Sequence, residues 1–147
     1  MKNIQKCLSY TKAWEQINAA IEAGFNLEAI TIEESIISDR LLSYVRGVDP
    51  SSKINERSGM GELIIRWRKL AGASLIKSDG LDLGKATDEW RIKRNIAVHG
   101  LVKSAPGTPT MAPDDFFELV RQASEEGKKL AREIQNWHRK ILKNFKD

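Results

Sequence analysis

An arginine, an asparagine and a histidine stand close together in the stretch "KRNIAVHG", residues 93–100, as Arg94, Asn95 and His99. Each is costly to desolvate without a partner, so a helix carrying all three beside Ile96, Ala97 and Val98 needs a reason for them. On a helix Asn95 and His99, four apart, share a face. Arg94 lies about 7.5 Å behind His99 along the axis, and its long stem can lean across that gap. The three polar ends are therefore expected to converge on one small volume, such as a phosphodiester. The chemistry this set suits is RNA cleavage without a metal. A histidine titrating near neutrality can take the proton from a ribose 2′-hydroxyl or give one to the departing 5′-oxygen. A guanidinium can hold the non-bridging oxygens and oppose the charge that builds in the transition state. An asparagine beside them can orient either group. One histidine does not easily serve as both acid and base in one step; a symmetric dimer would bring in a second.

The spacing Arg-Asn-x-x-x-His is expected by chance in fewer than about one in a hundred such chains. The looser spacing recurs from Arg132 to His138, but Glu133 is a poor neighbour for a phosphate. That second match is set aside, and His138 is read as an exposed helix residue. Glu34 lies in line with Ile30, Ile37 and Leu41, beside the buried face of its helix. It is either a boundary residue paired with a buried arginine or an acid that orients Arg94 or His99. Asp39 is the alternative in that supporting role, although with Arg40 it reads first as a surface pair. Arg91, Lys93 and Lys103 flank the motif and are candidates to contact RNA phosphates beyond the scissile one. With two histidines and one cysteine, no metal site and no cofactor are expected.

The elements that must position these residues are helical throughout. Residues 2–23 carry Ile4, Leu8, Trp14, Ile17 and Ile21 near helical spacing, with Gly24 as the stop. Asn26 suits the N-cap of a second helix that ends at Gly47. A polar loop follows, then a short third helix in "ELIIRWRKLAG", whose Trp67 reads as core. The fourth helix, bearing the motif, is expected from about Asp82 to Lys103. "SAPGTPTMAP" is loop, and Pro113 opens a long amphipathic fifth helix through Phe116, Val120, Ala123, Gly127, Leu130, Ile134, Trp137 and Ile141. No stretch alternates as a strand does. The expected architecture is an all-α, antiparallel up-and-down bundle of four to five helices, forming a single domain over 1–147.

Bulk composition agrees. The 147 residues are 41% hydrophobic and 30% charged, with a net charge of +4, which permits but does not require a polyanionic partner. No apolar run approaches the ~20 residues that cross a bilayer, so no membrane partner is expected. The start lacks the apolar stretch of a secretory signal, and a lone Cys7 is in keeping with a reducing compartment; a cytoplasmic location is expected.

"RNIAVH" resembles the R-x4-6-H motif of the HEPN (higher eukaryotes and prokaryotes nucleotide-binding) domains, including the polar residue those domains favour after the arginine. The organisation is similar too, a small helical bundle with the motif late on an inner helix and a long helix after it. The resemblance implies a metal-independent endoribonuclease, often the toxin of a toxin–antitoxin or phage-defence system. It implies a homodimer whose two motifs face each other across a cleft, products ending in a 2′,3′-cyclic phosphate, and a possible antitoxin partner. Arg94, Asn95 and His99 would be the catalytic set. A subgroup of the family carries a tyrosine, a modification site, two residues after the histidine; Leu101 stands there instead, so regulation at that position is not implied. A different class of function stays open, a catalytically silent HEPN domain that binds nucleotides or proteins. So does a purely structural role, with Arg94 paired to Glu34 and His99 ending its helix before Gly100.

Overall fold

The computed structural model describes residues 3–146, so the expected start of the first helix at residue 2 lies outside it. The described residues form five α-helices, α1 (Ile4–Glu22), α2 (Asn26–Val48), α3 (Met60–Ala71), α4 (Leu83–His99) and α5 (Pro113–Lys146), with a short 3-10 turn, Gly72–Leu75, between α3 and α4. Their one β element is an isolated antiparallel bridge between Ile76 and Asp82, and the fold is an all-α helical bundle.

Local chemistry sets the ends. The Asn3 side chain accepts from the Lys6 backbone N–H at 3.0 Å and Asp82 does the same for Lys85, each satisfying one otherwise orphaned donor. Gly24 takes φ +82°, a left-handed turn that lets α1 fold straight back along α2. Two boundaries differ from the sequence reading. Phe25, not Asn26, is the N-cap of α2; Asn26 is already helical, and its side-chain oxygen accepts from Ser124 on α5 instead. α4 stops at His99 rather than Lys103, with Gly100 as its C-cap making the last bond back, to the Ile96 carbonyl.

α2 and α5 make the central pair, with α1 packed on α2, and α3 and α4 completing the circuit back to α5. α5 spans 34 residues, about 51 Å at 1.5 Å per residue. The core gathers Ile17, Ile30, Ile37, Leu41, Ile64, Trp67, Leu83, Phe116 and Ile134, all essentially inaccessible. Tyr44, Trp67 and Trp137 meet edge to face, with Trp137 at 4.9 and 5.5 Å from the other two rings.

The tightest contact is where α2, α4 and α5 meet. A Cβ added to Gly127 would lie 2.3 Å from the Glu33 carboxyl oxygen and 2.7 Å from the Trp90 ring. Glycine in a helix interior costs about 1 kcal/mol against alanine, and this close approach is what that cost permits. Gly127→Ala is expected to destabilise the protein by about 2–3 kcal/mol through overpacking, despite the better helix propensity of alanine. Chemical denaturation of the two proteins checks it, and an unchanged midpoint would mean that the junction is looser than described.

Candidate active site

The rotation of α4 decides what each motif residue can do. Leu83, Thr87, Trp90 and Ala97 are buried, and Trp90 donates its indole N–H to the Ala123 carbonyl at 2.8 Å. Arg94 falls into the same seam, four after Trp90 and three before Ala97, at the spacing of a buried helical stripe. Its side chain is 15% exposed. One terminal nitrogen lies 3.2 Å from the carboxylate of Glu34 on α2 and 3.7 Å from the Met60 sulfur on α3. The Nε–H is buried and unpartnered. Glu34, 31% exposed, stands at the rim between α2 and solvent.

Asn95 and His99 turn the other way. Asn95 is half-buried and His99 exposed at the last position of α4. At about 100° per residue, Ile92, Asn95, Ile96 and His99 fall within a stripe about 100° wide, whereas Arg94 and His99 are about 140° apart. The expected convergence of all three side chains is therefore not seen within one chain: the partners of Arg94 are Glu34 and Met60, not Asn95 and His99. The side with Asn95 and His99 is unusually apolar for a surface. Ile92 is 51% exposed, and Ile96, Val98, Leu101 and Val102 are exposed with it.

The flanking cations differ in availability. Lys93 bonds both carboxylate oxygens of Glu126 at 2.8 and 2.9 Å, and Arg91 bonds Asp88 at 3.0 Å. Lys103, in the exposed loop after α4, makes no ion pair among the described residues.

Asp39 does not support the motif. With Arg40 it joins Lys6 and Tyr10 of α1 and His138 of α5 on another side of the bundle, so the two form part of an interhelical network rather than a surface pair. Lys6 bonds Asp39 at 2.7 Å, and Arg40 bonds Asp39 at 2.8 Å and the Tyr10 hydroxyl at 2.7 Å. Tyr10 donates to Asp39, and Arg40 lies 3.5 Å from His138 Nδ1. Burial pushes the Asp39 carboxyl up, but hydrogen bonds from Lys6, Tyr10 and Arg40 outweigh it and hold it below the usual carboxylate range. His138 corrects the sequence reading outright: it is 4% exposed, and burial, followed by the Arg40 charge, pushes it down to about 4. Its place in the stripe Ala131, Ile134, His138 was the available signal, outweighed by its polarity.

Sequence reasoning also passed over Glu33. It is fully buried, neither carboxyl oxygen has a hydrogen-bond partner, and burial pushes it up to about 9, with Lys128 opposing. Glu33 is thus a neutral acid at pH 7, next in sequence to Glu34, the partner of Arg94.

Among the described residues no three or more His, Cys, Asp or Glu side chains gather as a metal-binding group. No helix among them is long and apolar enough to cross a membrane. The fold and site together define an all-α bundle with a half-buried arginine–glutamate pair behind an exposed, apolar, histidine-bearing helix face. Compared with known proteins, the chain matches no family model, no curated sequence and no solved structure.

Proposed function

We propose that this protein is a metal-independent endoribonuclease of HEPN type that acts as a homodimer, with a toxin or defence role in the cytoplasm. The observation that carries the reading is the apolar stripe of α4. Ile92 and Ile96 alternate with Asn95 and His99 on one exposed face, so a second copy docked there would bury the isoleucines and bring two histidines to one boundary. One His99 takes the proton of a ribose 2′-hydroxyl as its oxygen attacks phosphorus. The 5′-oxygen leaves with a proton from the other His99, and a 2′,3′-cyclic phosphate remains. Asn95 orients the phosphate or ribose. Arg94 supplies positive charge from behind, with N–H groups still unspent on Glu34.

The test is incubation of the purified protein with labelled RNA in EDTA, alongside His99→Ala. The expected result is cleavage by the wild type to cyclic-phosphate ends and a loss of about 100-fold or more in the variant, the usual worth of a general acid–base group. Equal cleavage by both proteins would point to a contaminating nuclease and sink the assignment.

One observation favours a second reading. Arg94 occupies the packing seam and is paired with Glu34, as a purely structural role for the motif would have it, which leaves a HEPN-like module without catalysis. In that case the same assay shows no cleavage, and Arg94 variants change stability alone.

A further inference from the structure

We infer that the cleft between the C-terminal half of α5 and the segment joining the 3-10 turn to α4 binds the phosphates of a single RNA strand, apart from the scissile bond. The inference rests on the reading of this protein as one that acts on RNA. The cleft encloses about 540 Å³. Four cations line it, Lys77, Arg139, Lys140 and Lys143, against one carboxylate, Glu133. That carboxylate is already spent on Lys77, whose ammonium its hydrogen bond holds above the usual range, with Asp79 adding to the effect. Arg139, Lys140 and Lys143 make no ion pair among the described residues.

These three cations are close neighbours on one helix. Arg139 and Lys143 stand four apart, about 6 Å along the axis, where like charges repel by a few tenths of a kcal/mol. The helix dipole relieves such repulsion only in the last turn, and Arg139 and Lys140 lie before it. Nothing within the described fold compensates this charge, so an external anion is its natural partner. The other linings suit a nucleotide strand better than a bare ion. Ser74, Ser78 and Asn136 offer hydroxyls and an amide, while Leu83 and Trp137 form an apolar wall for sugar and base. Trp137 is held in place by its N–H bond to the Ser74 carbonyl at 3.1 Å. Lys143 stands about one helical turn beyond Arg139 and Lys140, a spacing that matches adjacent phosphates of an extended strand.

The motif is elsewhere. Leu83 opens α4 at this cleft, and His99 closes the same helix about 24 Å away. The cleft is therefore a docking site for RNA outside the cutting site.

The experiment is fluorescence anisotropy of a labelled 2′-O-methyl oligouridylate, which lacks the 2′-hydroxyl and cannot be cut. It is titrated with the wild type and with the triple variant Arg139→Gln, Lys140→Gln, Lys143→Gln, all three sites being exposed. The expected result is binding at least tenfold weaker in the triple variant, with the slope of log affinity against log salt reduced by about 2, from ~0.7 per phosphate contact. Equal affinity and slope for both proteins would overturn the inference, as would no binding by the wild type. Displacement of the oligomer by equimolar inorganic phosphate would overturn it too, since the cleft would then hold a free anion and not a strand. Cleavage is read separately: RNA cut in EDTA with unchanged affinity in the triple variant removes the cleft and leaves the nuclease, whereas cleft-dependent binding without cutting does the reverse.

Discussion

The unfolding free energy is expected to stay nearly level from about pH 4.5 to 6.5, then to fall by about 1.4 kcal/mol per pH unit up to about pH 9. Two buried groups produce this shape. Glu33, raised to about 9 in the fold from an ordinary 4.5, keeps its proton in the native state across a window in which the unfolded chain has lost it. The native state then binds one proton more, so rising pH costs stability throughout that window. His138 works in the opposite sense. Pushed down to about 4 from 6.5, it stays neutral when folded while the unfolded chain is protonated, so rising pH restores stability between those values. Where the windows overlap the slopes cancel; above pH 6.5 only that of Glu33 remains. Lys128 is the charge that acts on Glu33, and Arg40, Asp39 and Lys6 act on His138. Glu33→Gln, which imitates the protonated acid in size and shape, is expected to abolish the alkaline decline and uncover the rise between pH 4 and 6.5. Denaturant melts at half-unit intervals measure both curves. A wild-type profile that stays flat from pH 6.5 to 9 would show that Glu33 is hydrated or paired after all.

Under the proposed nuclease function, Arg94→Ala is expected to slow metal-free RNA cleavage by about 10²–10³-fold, the range found when one donor to a developing oxyanion is removed. Its stability cost should be modest, about 1–2 kcal/mol. Removing one partner of a fully buried ion pair costs ~3–5 kcal/mol, but Glu34 reaches solvent and can rehydrate. The informative comparison is Glu34→Gln. If Arg94 acts on substrate charge, neutralising Glu34 leaves cleavage within a few fold of wild type, because the guanidinium loses only a competitor. If Arg94 is purely a packing residue, Arg94→Ala and Glu34→Gln lower stability together and neither touches catalysis. A double-mutant cycle run on both rate and unfolding free energy separates the outcomes.

The helices were legible in the sequence because their apolar periodicity is long, α1 and α2 end at or next to Gly24 and Gly47, and Pro113 opens α5. What periodicity left open was the choice between adjacent positions. Glu33 and Glu34 both stand three or four residues from Ile30 and Ile37, and a wide apolar face accepts either. The approach of Trp90 and Gly127 places Glu33 in the core and Glu34 at the rim, and both of those residues come from other helices. Arg94 raised the same difficulty. Its alignment with Trp90 and Ala97 was readable, but the direction of its stem depends on where α2 puts a carboxylate. His138 and Asp39 show the limit of judging by residue type. His138 is buried and Asp39 half-buried, and each is met by a partner more than twenty-five residues away in sequence. The extent of α4 went unread because Gly100, midway through an apolar run, does not announce that the helix ends there.

The junction of Glu33, Trp90 and Gly127 also constrains how this sequence can drift. No atom can be added at position 127 while a long acid and an indole fill the space beside it. Among descendants of this chain, alanine or serine at 127 should arise only where position 33 or 90 has first shortened. A shorter residue at either site, in turn, would open a void that a side chain at 127 can fill. The three positions, drawn from three helices, should therefore change as a set, leaving in any future alignment a covariation that marks the packing of α2, α4 and α5 independently of what the protein does.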